Sequence, residues 1–305
     1  MVEREDVVRA REIVERHLNR TPLLTSRTLG ARLKCELFQR TGSFKPRGAL
    51  NKIASLTDEE KNRGVIAISA GNHAQAVAFA AAEYGIDALV VMWSTGSELK
   101  REATKAYGAT VDLESTNPAE AFVRLDELIA QTGRTLVHPF DDPAVVAGAG
   151  TVGLEIEEDA PDADVIVVPV GGGGLVAGIK ASLGPDGPRV IGVEPETSPA
   201  LHDGLAAGKP VPATTDTIAD GLNAPFAGAL PIEICQGMEV VLVTEQEIEE
   251  GFRFLYERAK LACEPAGAAA AAAILAGKVE AERPVAVVTG GNVAARTASG
   301  ILGFR

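Results

Sequence analysis

Lys45 is the residue of this chain best suited to covalent chemistry. It closes the run Thr41-Gly42-Ser43-Phe44-Lys45, beside a small hydroxyl residue and an aromatic ring. A lysine becomes a nucleophile, or forms a Schiff base, once desolvation lowers its pKa. The alternative is a surface lysine at a helix start, where its charge opposes the helix dipole. Three more glycine-rich turns accompany it: Ser69-Ala70-Gly71-Asn72-His73, Gly171–Gly174 and Thr289-Gly290-Gly291-Asn292. The four turns follow runs of buried-strand type, at Cys35–Gln39, Val65–Ile68, Val165–Val170 and Val285–Val288. In an open parallel sheet such turns share the carboxyl edge, where these proteins bind ligands. The pattern suggests one cofactor held by many backbone donors.

Gly171–Gly174 precedes a helix opening Leu175-Val176-Ala177-Gly178. Successive glycines expose consecutive N–H groups to an anion, and a helix N-terminus adds partial positive charge. A merely flexible turn needs fewer glycines, because each one loses backbone entropy on ordering. Read locally, Gly172-x-Gly174-x-x-Ala177 also satisfies a dinucleotide fingerprint, with Glu194 lying 20 residues after Gly174. An NAD-binding oxidoreductase therefore stays open at this point, although it would not need the other three turns. Ser69 and Asn72 offer polar groups suited to a carboxylate or a phenolic oxygen. Asn72 alone would also pass as an ordinary turn residue. His73 could titrate, but a histidine at a helix start is usually structural. Thr289 can give or take one hydrogen bond at a ring nitrogen, or simply end a strand. Gly290 and Gly291 beside it imply a close approach to the backbone.

The elements that must position these residues alternate between apolar β-type runs and helical patterns, the signature of an α/β protein with parallel sheets. A first helix is predicted over Glu3–Leu18, with Val7, Val8, Ile13 and Val14 toward the core. Thr57-Asp58-Glu59-Glu60 reads as a capping box. Then follow Val65–Ser69, a helix His73–Tyr84, Ala88–Trp93, a helix Ser97–Tyr107, Thr110–Leu113, a helix Pro118–Gln131 and Thr135–His138. The later chain gives a helix near Ala144–Glu157, the strand before the tetraglycine turn, Val190–Val193 and a turn-rich stretch Gly208–Pro231. Val240–Thr244, a long helical region through Gly277 and Val285–Thr289 complete it. The expected arrangement is a large lobe from residues 1–47 and 140–305, a small inserted lobe from 48–139, and a site in the cleft between them.

Composition narrows the function. With 46% hydrophobic residues among 305, the chain can bury a sizeable core. Net charge is −13, from 42 acidic and 29 basic residues, which argues against nucleic acid or an anionic membrane as partner. No apolar run reaches the roughly 18 residues that span a bilayer, and the charged N-terminus is unlike a secretory signal. A soluble cytoplasmic protein is expected. Cys35, Cys235 and Cys263 are scattered, so reduced thiols are the simple reading.

With these residues in place, the chain resembles the fold-type II pyridoxal-phosphate enzymes of the threonine/serine dehydratase and serine racemase family. TGSFKPRGA, SAGNHAQA, GGGGL, VIGVEPE, TIADGL, KLACEPAGA and TGGN occur in the family's order almost end to end. The resemblance implies pyridoxal 5'-phosphate as cofactor, with Lys45 as the Schiff-base lysine and Phe44 beside the ring. It implies that Gly171, Gly172, Gly173, Gly174 and the Leu175 amide cup the phosphate. Asn72 matches the position meeting the phenolic oxygen, and Thr289 the one facing the pyridine nitrogen. Gly221 and Glu264 match residues lining the cofactor. Ser69, Ala70, Gly71, Asn72 and His73 match the loop that grips the substrate carboxylate.

By the same resemblance the substrate is a small amino acid, L-threonine and L-serine foremost, and the products are a 2-oxo acid and ammonia. Lys45, once released, takes the α-proton as general base. Family racemases place a serine directly before Gly-Asn-His; Ala70 has no proton to give, which favours elimination. Another β-hydroxy amino acid, such as 3-hydroxyaspartate or a compatible-solute breakdown product, is the alternative substrate, and serine racemase an alternative activity. The family's cation site would use Glu194, but its later acid is Ala200 here. The chain ends soon after the fourth turn, leaving no room for an effector-binding domain. A homodimer is expected by resemblance.

Overall fold

A computed structural model describes residues 1–94, 96 and 98–303. Two open sheets organise the chain. The larger runs in the order β1 (Leu23–Ser26), β2 (Ala31–Cys35), β10 (Pro284–Val288), β7 (Val165–Pro169), β8 (Arg189–Pro195) and β9 (Glu239–Val243). Its neighbours pair in parallel except β1 with β2. The smaller, wholly parallel, runs β5 (Thr110–Ser115), β4 (Ala88–Trp93), β3 (Val65–Ile68), β6 (Thr135–Leu136). Parallel sheets are covered on both faces, so their strands read as continuous apolar runs. Every residue of β3, β7 and β10 is buried, as that rule requires. This is the expected α/β architecture, with the small sheet formed entirely between β2 and β7.

Small residues let the helices of the junction approach closely. The helix Lys45–Ala54 crosses the helix Pro143–Asp159 so tightly that a Cβ on Gly148 would fall 2.3 Å from the Arg47 carbonyl oxygen. The next crossing repeats the device, since a Cβ on Gly178 would lie 2.3 Å from the Val146 carbonyl oxygen. Arg47 itself is buried. Its guanidinium pairs with Glu36 at 2.8 Å and Glu155 at 2.7 Å, and the Lys34 ammonium meets Glu155 at 2.5 Å. Two cations and two carboxylates thus neutralise one another beneath the Lys45 helix.

Several expectations are revised. Cys35–Gln39 is not a strand: β2 stops at Cys35, and Glu36–Phe38 winds as a short 3-10 turn that carries Glu36 inward to Arg47. Val8 is exposed and Ala10 takes its place in the core. The helical region before Gly277 is broken. The helix Glu245–Phe254 passes into a π-type turn at Leu255–Ala259, ends on Lys260 with φ of 62°, and restarts at Pro265. Proline lacks an N–H and fits only the first turn of a helix; the break sets Glu264 at the new helix's start. Two further helices, Ala200–Ala207 and Ala295–Leu302, lie outside the helical patterns of the sequence. The Thr57–Glu60 capping box is present, with Thr57 Oγ1 accepting the Glu60 N–H. The helix expected from Ser97 runs Glu98–Ala106, and Ser97 itself lies outside the described residues. No described helix is long and apolar enough to cross a membrane.

Candidate active site

Three of the turns leave the carboxyl ends of the parallel strands β3, β7 and β10, and the Lys45 turn is reached from β2, the neighbour of β10, through two short 3-10 turns. The first and fourth are stitched together. Ser43 pairs with Gly290, the Phe44 N–H donates to the Thr289 carbonyl at 3.1 Å, and the Gly291 N–H donates to the Gly42 carbonyl at 2.9 Å. The break after Lys260 adds Glu264, whose N–H donates to the Gly290 carbonyl at 3.0 Å. A Cβ on Gly290 would stand 2.4 Å from Glu264 Oε1 and would push that carboxyl aside.

Lys45 opens its helix half-buried. Its Nζ donates to the Pro139 carbonyl at 2.9 Å and lies 5.1 Å from the centre of the Phe44 ring. Loss of water pulls its pKa down to about 8, against a smaller opposing pull from the Glu264 carboxylate. The amine therefore gives up its proton more readily than an ordinary, solvated lysine. The amine does not face bulk water.

Phe140, next to that Pro139, ties Lys45 to the tetraglycine turn. A Cβ on Gly172 would fall 2.2 Å from its ring, and one on Gly174 would fall 2.9 Å from its Cα. Gly173 has φ of +92°, a left-handed conformation open to glycine, and caps the helix Gly174–Leu183 with no side-chain hydrogen bond. Gly174 and Leu175 are buried. Helix N-terminal amides need an acceptor, and here no side chain supplies one; an anion suits the place. Gly171 faces the loop of Gly221, whose carbonyl oxygen a Gly171 Cβ would approach to 3.2 Å.

Asn72 begins the helix Asn72–Glu83 beside these turns. Its Nδ2 donates to Glu264 Oε1 at 2.6 Å, and its Oδ1 accepts from Asn292 Nδ2 at 2.9 Å. Burial pushes the Glu264 carboxyl up to about 7. Glu264 Oε2 and Ser43 Oγ, like Thr41 Oγ1 and Asn223 Oδ1, are buried with no hydrogen-bond partner among the described residues, although buried polar atoms are nearly always paired. Ser69 Oγ accepts the Gly71 N–H at 3.0 Å. His73 is buried and its Nε2 donates to the Val137 carbonyl at 2.7 Å; burial, then nearby Lys45, pushes its pKa down to about 3. A neutral imidazole fixed this way has a structural task, leaving its backbone to the loop. Thr289 is buried at the end of β10.

Sequence reasoning overlooked Asn292, although TGGN contained it, and the ion pair between Lys100 and Asp220 beside Gly221. Glu194 is buried, and its two oxygens accept the Leu201 and His202 N–H groups at 2.7 and 2.8 Å. In the structure it caps the helix Ala200–Ala207. Among the described residues no group of three His, Cys, Asp or Glu could hold a metal. The same burial withholds Glu194 from a ribose hydroxyl, which removes the main support of the NAD reading.

The sequence profile of the pyridoxal-phosphate dependent enzymes matches residues 14–290, and the chain belongs to that family. Catabolic L-threonine dehydratase TdcB of Staphylococcus aureus strain USA300 is 43% identical, over 97% of this chain and 91% of its own. The processed form of threonine deaminase isoform 2 from Solanum lycopersicum superposes with a TM-score of 0.91 at 32% identity, over 98% of this chain and 92% of its own. Maize serine racemase gives 0.92 at 33% identity, over 97% and 95% of the two chains.

Proposed function

We propose that the chain is a pyridoxal-phosphate-dependent ammonia-lyase that eliminates the β-hydroxyl of L-threonine and L-serine, yielding a 2-oxo acid and ammonia. One observation carries the reading: a half-buried, easily neutralised Lys45 amine rests on Pro139, whose neighbour Phe140 packs into an uncapped tetraglycine turn. The dehydratase and deaminase names of the relatives point the same way. The uncapped amides and the unpartnered Ser43 Oγ and Glu264 Oε2 fit such a cofactor.

The amides of Gly171–Gly174 and Leu175 would hold its phosphate, and Lys45 its aldehyde carbon, with Phe44 alongside. Asn72 would donate to its phenolic oxygen, while Gly221 and Glu264 line the same pocket. Thr289 would face its ring nitrogen with a hydroxyl too weakly acidic and basic to leave a proton there. When bound, the cofactor supplies the electron sink for the α-carbanion. The chain supplies the proton traffic: the Lys45 amine takes the α-proton, and the Ser69–His73 loop grips the carboxylate. Ala70 has no hydroxyl to protonate the opposite face, so elimination is favoured over racemisation.

Residues 48–139 would form the small lobe and 1–47 with 140–305 the large one. The enzyme would work as a homodimer in the cytoplasm, where its three buried free cysteines stay reduced. A substrate panel tests the reading. The holoenzyme should release 2-oxo acid from L-threonine and L-serine faster than from 3-hydroxyaspartate or compatible-solute breakdown products; a reversed order would overturn the substrate assignment.

A further inference from the structure

A carboxamide has a donating and an accepting side, and the side that Asn72 turns to the cleft decides what it can bind. Three contacts set that choice. The Thr41 carbonyl only accepts, so the atom 2.6 Å from it is Asn292 Nδ2, a donor. The same Nδ2 stands 2.9 Å from Asn72 Oδ1, and Asn72 Nδ2 stands 2.6 Å from Glu264 Oε1. The Thr41 carbonyl can only accept, so it gives the series one direction. Turning the Asn72 carboxamide over would set N–H against N–H at Asn292.

The anchor of the series is itself under strain. Thr41 has φ of 62°, a left-handed conformation that a β-branched residue rarely adopts. Its own hydroxyl gains nothing there, since Thr41 Oγ1 is buried without a partner. What that conformation does secure is the carbonyl's contact with Asn292. Backbone strain of this kind persists where the surroundings hold it, commonly at binding sites.

We propose that Asn292 and the strained Thr41 are positioning residues that lock the Asn72 carboxamide, so that its second N–H donates to the phenolic oxygen of the cofactor. The proposal rests on the cofactor reading above. Because Asn72 opens a helix of the smaller sheet while Asn292 and Glu264 belong to the larger sheet's turns, the same series ties the two sheets at the site.

Asn292→Asp keeps the shape but removes the donor, and Asn292→Ala removes the group. Both are reconstituted with pyridoxal 5'-phosphate and their visible absorption is titrated with pH. The expected result is a changed band whose titration midpoint moves by about one unit or more, a tenfold change in the proton equilibrium, larger for N292D than for N292A. Lost stability alone would lower the melting temperature without moving that midpoint. Should N292D fail to fold, N292A carries the test. A wild-type band and midpoint in folded, loaded variants would overturn the relay and leave the cofactor reading standing. A wild-type protein with no visible band would instead sink the cofactor reading itself.

Discussion

At Lys45 the useful property is a proton held loosely. Desolvation costs the ammonium more than the amine, and Glu264 only partly compensates, so the pKa settles at about 8 instead of 10.5. Attack on the cofactor's aldehyde needs the neutral amine. The rate at which cofactor-free protein takes up pyridoxal 5'-phosphate should therefore rise about tenfold per pH unit below 8 and level off above it, as read by stopped-flow absorbance. A midpoint near 10.5 would show an ordinary, solvated lysine. Lys45, Phe44, Asn72 and the glycines stand out in the sequence because each sits in a short local motif. Thr41 and Asn292 do not, because their roles arise from contacts between turns that the chain brings together only on folding. The Asn72–Asn292 bond joins residues 220 apart.

Among the elements, the helix that begins at Lys45 depends on its crossing with Pro143–Asp159. A methyl group at Gly148 would meet the Arg47 carbonyl at 2.3 Å, where backbone cannot yield without moving the helix. Gly148→Ala should cost about 1–3 kcal/mol in urea unfolding, as overpacking does, and should weaken cofactor binding as well. Full stability and unchanged affinity would mean that the crossing does not set the lysine. Strand and helix types were readable from periodicity, as for Ala88–Trp93, which matches β4 residue for residue. The failures have physical causes. Glu36 leaves an apolar-looking run because Arg47 draws it inward, and the helical pattern before the alanine-rich helix hides the break at Lys260 that serves Glu264.

For the whole molecule, the buried charges that join β2, the Lys45 helix and the helix Pro143–Asp159 matter more than the exposed pairs. Burial pushes the Glu155 carboxyl up, but Arg47 and Lys34 together hold it below its ordinary 4.5. Its contribution is therefore present above about pH 4.5 and fades as pH falls through the lower, folded-state value. Glu155→Leu leaves an uncompensated cation and should destabilise the fold by about 3–5 kcal/mol. Glu59→Ala, which breaks the exposed pair with Arg63, should cost under about 1 kcal/mol. Equal losses from both in urea denaturation would contradict this ranking. The alternation of strands and helices was legible; this charge cluster was not, since Lys34, Glu36, Arg47 and Glu155 meet only when distant parts of the chain fold together.

The most direct test of the account is the steady-state release of 2-oxo acid from L-threonine by the cofactor-loaded protein and by its Lys45→Ala variant. The wild type should turn over and the variant, though folded, should fall below detection. A folded K45A protein that still deaminates threonine would contradict the account.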